Sequence, residues 1–116
     1  QSIGLLDKDD KGGSIDLVFM NATGKLDSSD DGTVIDVDDT ASDGTEVIPD
    51  QILGVVTISN YFNGVHWQYG HKEGIGLVLK AAANSTSIYV AGVNRSGGAL
   101  TWTASGITLK IGVIKD

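Results

Sequence analysis

The chain has 116 residues, 41% of them hydrophobic, with 16 Gly, one Pro, no Cys and a formal charge of −7. That length supports one domain with a single core, and the absence of Cys excludes disulfides and thiolate metal sites. Net negative charge argues against nucleic acid, whose binders need a basic face, and no apolar run approaches the roughly 20 residues that a membrane-spanning helix requires.

The charge is divided along the chain. Residues 1–50 hold twelve Asp and Glu46 against Lys8, Lys11 and Lys25, a balance of −10, whereas residues 51–116 balance at +3. Nine acids lie from Asp27 to Asp50, and no Lys or Arg lies between Lys25 and Lys72. Such a cluster repels itself unless it is solvated, spread along loops or neutralised by a cation. The first residue is Gln1, which reads as a processed terminus or a fragment boundary.

In chain order, the first acidic loop is Asp7-Lys8-Asp9-Asp10-Lys11-Gly12-Gly13, where two lysines among the carboxylates oppose metal binding. A strand follows over 14–20, with Ile15, Leu17 and Phe19 alternating against Asp16 and Val18. Residues 27–38 read Asp-Ser-Ser-Asp-Asp-Gly-Thr-Val-Ile-Asp-Val-Asp. Asp27, Ser29 and Asp31 offer oxygens at alternate positions, Gly32 permits a sharp turn, and Asp36 or Asp38 closes the shell. Ca²⁺ takes six to eight hard oxygens at about 2.4 Å, which is why this spacing resembles the first part of a calcium loop. Ser stands at the third position and Asp38 at the twelfth, where such loops carry Asp and the longer Glu. A solvated hairpin loop built from turn-forming Asp explains the same residues. Residues 33–37 supply a short strand, and 38–44 a third acidic loop that could share the ion.

Residues 52–59 are almost continuously apolar, as in a strand buried on both faces. Residues 65–69 set Val65, Trp67 and Tyr69 against His66 and Gln68; residues 75–80 place Ile75, Leu77 and Leu79 on one face. Strands are further expected over 87–94, over 99–104 with Leu100 and Trp102 together, and over 107–113, where Ile107, Leu109, Ile111 and Val113 form the clearest stripe. Turn clusters at 70–74, 84–86, 94–98 and 105–106 punctuate them. About eight short strands define an all-β chain, an antiparallel β-sandwich or jelly roll in one domain, acidic and loop-rich over 1–50 with core strands over 51–116.

Tyr61, Phe62, Trp67 and Tyr69, interleaved with Asn60, Asn63, His66, Gln68 and His71, have the makeup of a sugar site, in which aromatic faces stack and amide or imidazole groups hydrogen-bond. Tyr61, Asn63, His66, Trp67 and Gln68 are its candidate ligand-binding residues. The plainer account puts Trp67 and Tyr69 on the core face and Tyr61 and Phe62 over a sheet end. His66, His71 and Glu73 do not have the spacing of a recognised zinc site. No nucleophile elbow, phosphate-cradling loop or His-Glu-x-x-His motif is present, so an enzyme is not expected. Asn21-Ala22-Thr23, Asn84-Ser85-Thr86 and Asn94-Arg95-Ser96 are glycosylation sequons that turn chemistry explains equally well.

The C-terminal half resembles small tailed-phage virion proteins. The likeness runs from Gly76-Leu77-Val78-Leu79-Lys80-Ala81-Ala82-Ala83-Asn84-Ser85-Thr86-Ser87-Ile88-Tyr89-Val90 to Ser105-Gly106-Ile107-Thr108-Leu109-Lys110-Ile111-Gly112-Val113-Ile114-Lys115-Asp116. It covers about half the chain and is one of β-rich texture. It implies a non-enzymatic protein at the virion surface, a head decoration or fibre-tip subunit, bound to itself as a homo-oligomer such as a trimer, or to a capsid or fibre protein. Two alternatives stay open: a secreted carbohydrate-binding or adhesive module using Ca²⁺ in the 27–38 loop, and an extracellular filament subunit joined by strand exchange. No cofactor is required in any of the three, and neither nucleic acid nor membrane is an expected partner.

Overall fold

A computed structural model describes residues 1–22 and 49–114. The predicted 33–37 strand and the acidic loops of 27–38 and 38–44 lie outside the described residues. Seven strands among the described residues make the fold all-β, as the sequence predicts: β1 (Ser2–Asp7), β2 (Ile15–Met20), β3 (Ile52–Ile58), β4 (Tyr61–Asn63), β5 (Gln68–Glu73), β6 (Tyr89–Asn94) and β7 (Ile107–Gly112). A 3₁₀ turn at Pro49–Gln51 leads into β3.

Two sheets form, in the orders β4-β5-β1-β7 and β3-β2-β6. The first is antiparallel throughout, with Leu5 opposite Gly70 on one side and Leu109 on the other. In the second, Asn21 N–H donates to Gln51 O and Arg95 N–H to Ser14 O. Each of these bonds joins the end of one strand to the start of its neighbour, the mark of antiparallel pairing. The described residues form two compact units, one from 1–16, 56–76 and 94–114, the other from 17–22, 49–55 and 77–93.

In the first unit β1 is an inner strand. Ile3, Leu5 and Asp7 point to one face and are buried, joined in the unit's interior by Ile15, Val56 and Ile58. The opposite face of β1 has Gly4 at its middle, where a Cβ would run into the Tyr69 ring. Glycine is therefore required there by close approach. It is also why no strand is expected at 2–7 from hydrophobic alternation: Gly4 and the terminal Asp7 interrupt the signal.

In the second unit β2 is the central strand, and Leu17, Val18, Phe19 and Met20 are all buried. Val18 and Met20 collect Ile52, Tyr89, Ala91 and Val93 around them. Burial on both faces replaces the one-sided pattern expected for 14–20, because the side chains packed around Val18 and Met20 cover the face that alternation would leave to solvent. The reverse holds for β3. Its uniformly apolar sequence suggests two buried faces, yet Val55 and Thr57 are exposed while Val56 and Ile58 are buried.

Three further expectations are corrected. The 65–69 strand is split, with residues 64–67 forming a hairpin between β4 and β5. No strand forms over 75–80, where Gly76 sits at φ 62, outside extended geometry. Leu77 is used instead as packing against Gly54. Residues 99–104 are also not a strand; a left-handed Ser105, φ 63, ends that stretch, and its Leu100 lies against Gly13.

Phe19 is fully buried, so Phe19→Ala should remove its transfer free energy and leave a cavity, at a cost of about 3–5 kcal/mol. Val55→Ala, at a position 51% exposed, should change stability by no more than about 0.5 kcal/mol. Paired thermal and urea melts check both.

Candidate functional site

The loop after β1 is organised by a buried carboxylate. Asp7 is 2% exposed; its Oδ1 accepts Asp9 N–H at 3.0 Å and its Oδ2 accepts Lys11 and Gly12 N–H at 2.8 Å each. A buried carboxylate must find donors, and backbone amides of a tight loop supply them without a counter-ion. Asp10, at φ 56, completes the bend and accepts Gln68 Nε2–H at 2.9 Å. Asp9 accepts the Thr103 hydroxyl at 2.8 Å and the Thr103 backbone N–H as well. The three carboxylates of this loop thus fasten chain to chain. Among the described residues no group of three His or acidic side chains converges as a metal cage.

Electrostatics follow from these partners. The Thr103 backbone amide, then its hydroxyl, hold the Asp9 carboxyl below the ordinary value of 3.8, with Lys11 and Lys8 assisting. Burial pushes Asp16 up, but the Thr57 hydroxyl at 2.6 Å and Arg95 Nε at 2.8 Å outweigh it, and its net shift is downward. Burial and the Asp7 charge push the Tyr61 phenol up to about 12; it stays protonated and donates to Gly13 O at 2.8 Å.

The aromatic group is divided by the pleat. The β4–β5 register pairs Tyr61 with Gly70, Phe62 with Tyr69, and Asn63 with Gln68, so Phe62 and Tyr69 share the face opposite Tyr61 and Gln68. Gly64 N–H donates to Trp67 O at 2.8 Å, which closes a tight turn through Val65 and His66, with His66 at φ 68. At this tip Phe62 is 69% exposed, Val65 79% and Trp67 39%. The Phe62 and Trp67 rings lie 5.9 Å apart at 37°. Farther along the same face, Tyr69 stacks on His71 at 6.1 Å and Lys110 Nζ lies 5.9 Å from the Tyr69 centroid, while His71 reaches Glu73 at 3.9 Å.

Of the five candidate sugar-binding residues, Trp67 is joined at the tip by exposed Asn63 and His66. Tyr61 and Gln68 are instead turned inward and engaged with Gly13 and Asp10. The placement of Trp67 and Tyr69 on the core face is corrected: both lie on the face away from Ile3 and Leu5. Phe62 is the member that a sequence reading of ligand contacts omits. The signal for it is its adjacency to Tyr61, since neighbours on a strand point to opposite faces. Asp27, Ser29, Asp31, Asp36 and Asp38, the candidate calcium ligands, lie outside the described residues.

Sequence reasoning also missed an open depression of about 530 Å³ lined by Lys11, Ser14, Ser59, Arg95, Ser96 and Leu100, among others. Its partners are distant in sequence and carry no motif. Its lining residues are held from behind: Arg95 pairs with Asp16, Asn94 Oδ1 accepts Ser96 N–H at 2.9 Å and Asn94 Nδ2–H donates to Gly98 O at 2.8 Å. The Trp102 indole N–H is shielded from solvent and meets no acceptor among the described residues. No family model, curated protein or solved structure matches this chain.

Because Asp9 and Asp16 titrate lower in the folded chain than in the unfolded one, the stability they contribute is present above the unfolded value of 3.8. It is lost as pH falls through their folded values. Thermal melts carried from neutral pH into the acid range should show this loss, and Asp9→Asn with Asp16→Asn should make the decline shallower while lowering the neutral-pH Tm.

Proposed function

We propose that this chain is a non-enzymatic structural or interaction subunit displayed on a particle surface, as a phage head decoration or fibre-tip protein is. The observation that carries this reading is the β4–β5 tip, where Phe62, Val65 and Trp67 stand out in solvent on a short closed turn. Aromatic side chains present large contact area for little conformational entropy, which is why they are frequent at interface centres. A contiguous apolar tip on a strongly acidic chain suits a module that stays soluble through charge and engages a partner through one small patch. The texture shared by the C-terminal half with small virion proteins points the same way. Strand exchange through β1 is disfavoured, since that strand is paired on both edges.

The test is rebinding. Antibody to the chain should label intact particles from its source in a regular array, and chain added to stripped particles should restore the label. Phe62→Ala with Trp67→Ala should abolish restoration while leaving the far-ultraviolet circular dichroism unchanged. Particles that carry no label would end this reading.

A second reading, a carbohydrate-binding or adhesive module, is favoured by the tilted, exposed Phe62–Trp67 pair on a turn that also carries exposed His66. It predicts glycan-array hits that vanish in Trp67→Ala. If the 27–38 loop supplies a calcium ion to that module, millimolar Ca²⁺ should raise the Tm and chelator should reverse the rise by mass action.

A further inference from the structure

We infer that β7 is a dimerisation edge, on which a second copy of this chain pairs antiparallel about a two-fold axis through Ile111. β7 ends the order β4-β5-β1-β7, and among the described residues nothing pairs with its outer side. The direction of its backbone groups follows from one bond. Lys8 N–H donates to Gly106 O at 2.8 Å, one step beyond the Asp7–Ile107 pair of the β1–β7 register. Hydrogen-bonded and non-hydrogen-bonded pairs alternate in an antiparallel ladder. The even-numbered residues 106, 108, 110 and 112 therefore turn their amides and carbonyls towards β1, and Ile107, Leu109 and Ile111 turn theirs outward.

Aliphatic side chains stand bare at the end of this edge beside exposed Lys110: Ile111 is 42% exposed, and Val113 and Ile114, just past the strand, 67% and 77%. Edge strands are ordinarily protected from one another by charge, Pro or a bulge. β7 has no Pro and a single charge, the exposed Lys110.

The register follows from charge and burial. A two-fold pairing that bonds the outward groups to one another can centre on Leu109, Lys110 or Ile111. Centring on Lys110 sets two ammonium groups directly opposite, which destabilises a cross-strand pair. Centring on Leu109 pairs Ile107 with Ile111 inside β7 but sets Val113 and Ile114, just past its end, against Ser105 and Ala104 rather than against aliphatics. Centring on Ile111 sets Ile111 against its own copy, Leu109 against Val113, Thr108 against Ile114 and Lys110 against Gly112. That register covers the three exposed aliphatics and opposes no like charges, and it joins two four-stranded sheets into one of eight. This interface is separate from the β4–β5 tip and does not rest on the reading given for it.

Sedimentation velocity of the full chain over a concentration series tests the inference. A monomer–dimer equilibrium is expected. Ile111→Pro removes an outward N–H and no bond to β1, so it should leave a folded monomer, with unchanged circular dichroism. Gly112→Glu and Gly112→Lys crowd Ser2 Oγ equally, since a Cβ there lies 2.6 Å from it, but they meet Lys110 of the other copy with opposite sign. Glu should tighten the dimer and Lys weaken it, each roughly ten-fold in Kd through two symmetric contacts. A chain that stays monomeric throughout, a dimer indifferent to Ile111→Pro, or Gly112 variants that shift Kd in the same direction would overturn it. Loss of particle rebinding in the Phe62 and Trp67 variants of a monomeric chain would leave the tip reading standing and this one refuted.

Discussion

The first unit depends on one buried carboxylate. Asp7 ends β1 inside the protein, and its two oxygens collect three amides from the next five residues. An ion so placed would be costly without those donors, so the loop has little freedom to be anything but a tight cup around it. The cup then fixes the direction of everything attached to it. Asp9 meets Thr103, Asp10 meets Gln68, and Gly13 offers its carbonyl to Tyr61. Segments nearly a hundred residues apart in sequence are held in place through a seven-residue stretch that is itself held by a single side chain.

This arrangement explains which parts of the fold could be read from the residues. Alternation of apolar and polar side chains located β2, β6 and β7, because those strands carry the period directly. It failed at β1, where Gly4 occupies the position that Tyr69 covers. It failed in the opposite direction over 75–80 and 99–104, where the apolar spacing is as regular as in a strand but left-handed Gly76 and Ser105 deny the chain an extended path. Burial was harder to foresee than strand position. Whether Val18 is covered and Ile111 bare depends on which strand lies in the middle of a sheet and which at its end, and that is fixed by pairing between distant segments.

The aromatic cluster shows the same limit at finer scale. Its members were visible as a group, and so was the suitability of their chemistry for a flat ligand. What could not be seen was how the hairpin would sort them, because a two-residue turn at Val65–His66 shifts every later side chain by one face relative to an uninterrupted strand. Tyr61 and Gln68 became part of the scaffold, whereas Phe62 and Trp67 became the outward pair. The depression beside Arg95 left no trace in the sequence, since it is assembled from serines and glycines of three separate loops.

The two tryptophans of this chain differ in how far water reaches them, and that difference makes the protein its own spectroscope. Trp67 stands in water at the hairpin tip, while the Trp102 indole nitrogen is sealed away from it. Emission from the first is the more open to a dissolved quencher such as acrylamide or iodide, because the second belongs to a partly buried residue. Quenching therefore weights events at the tip over those at Trp102, without any dye being attached.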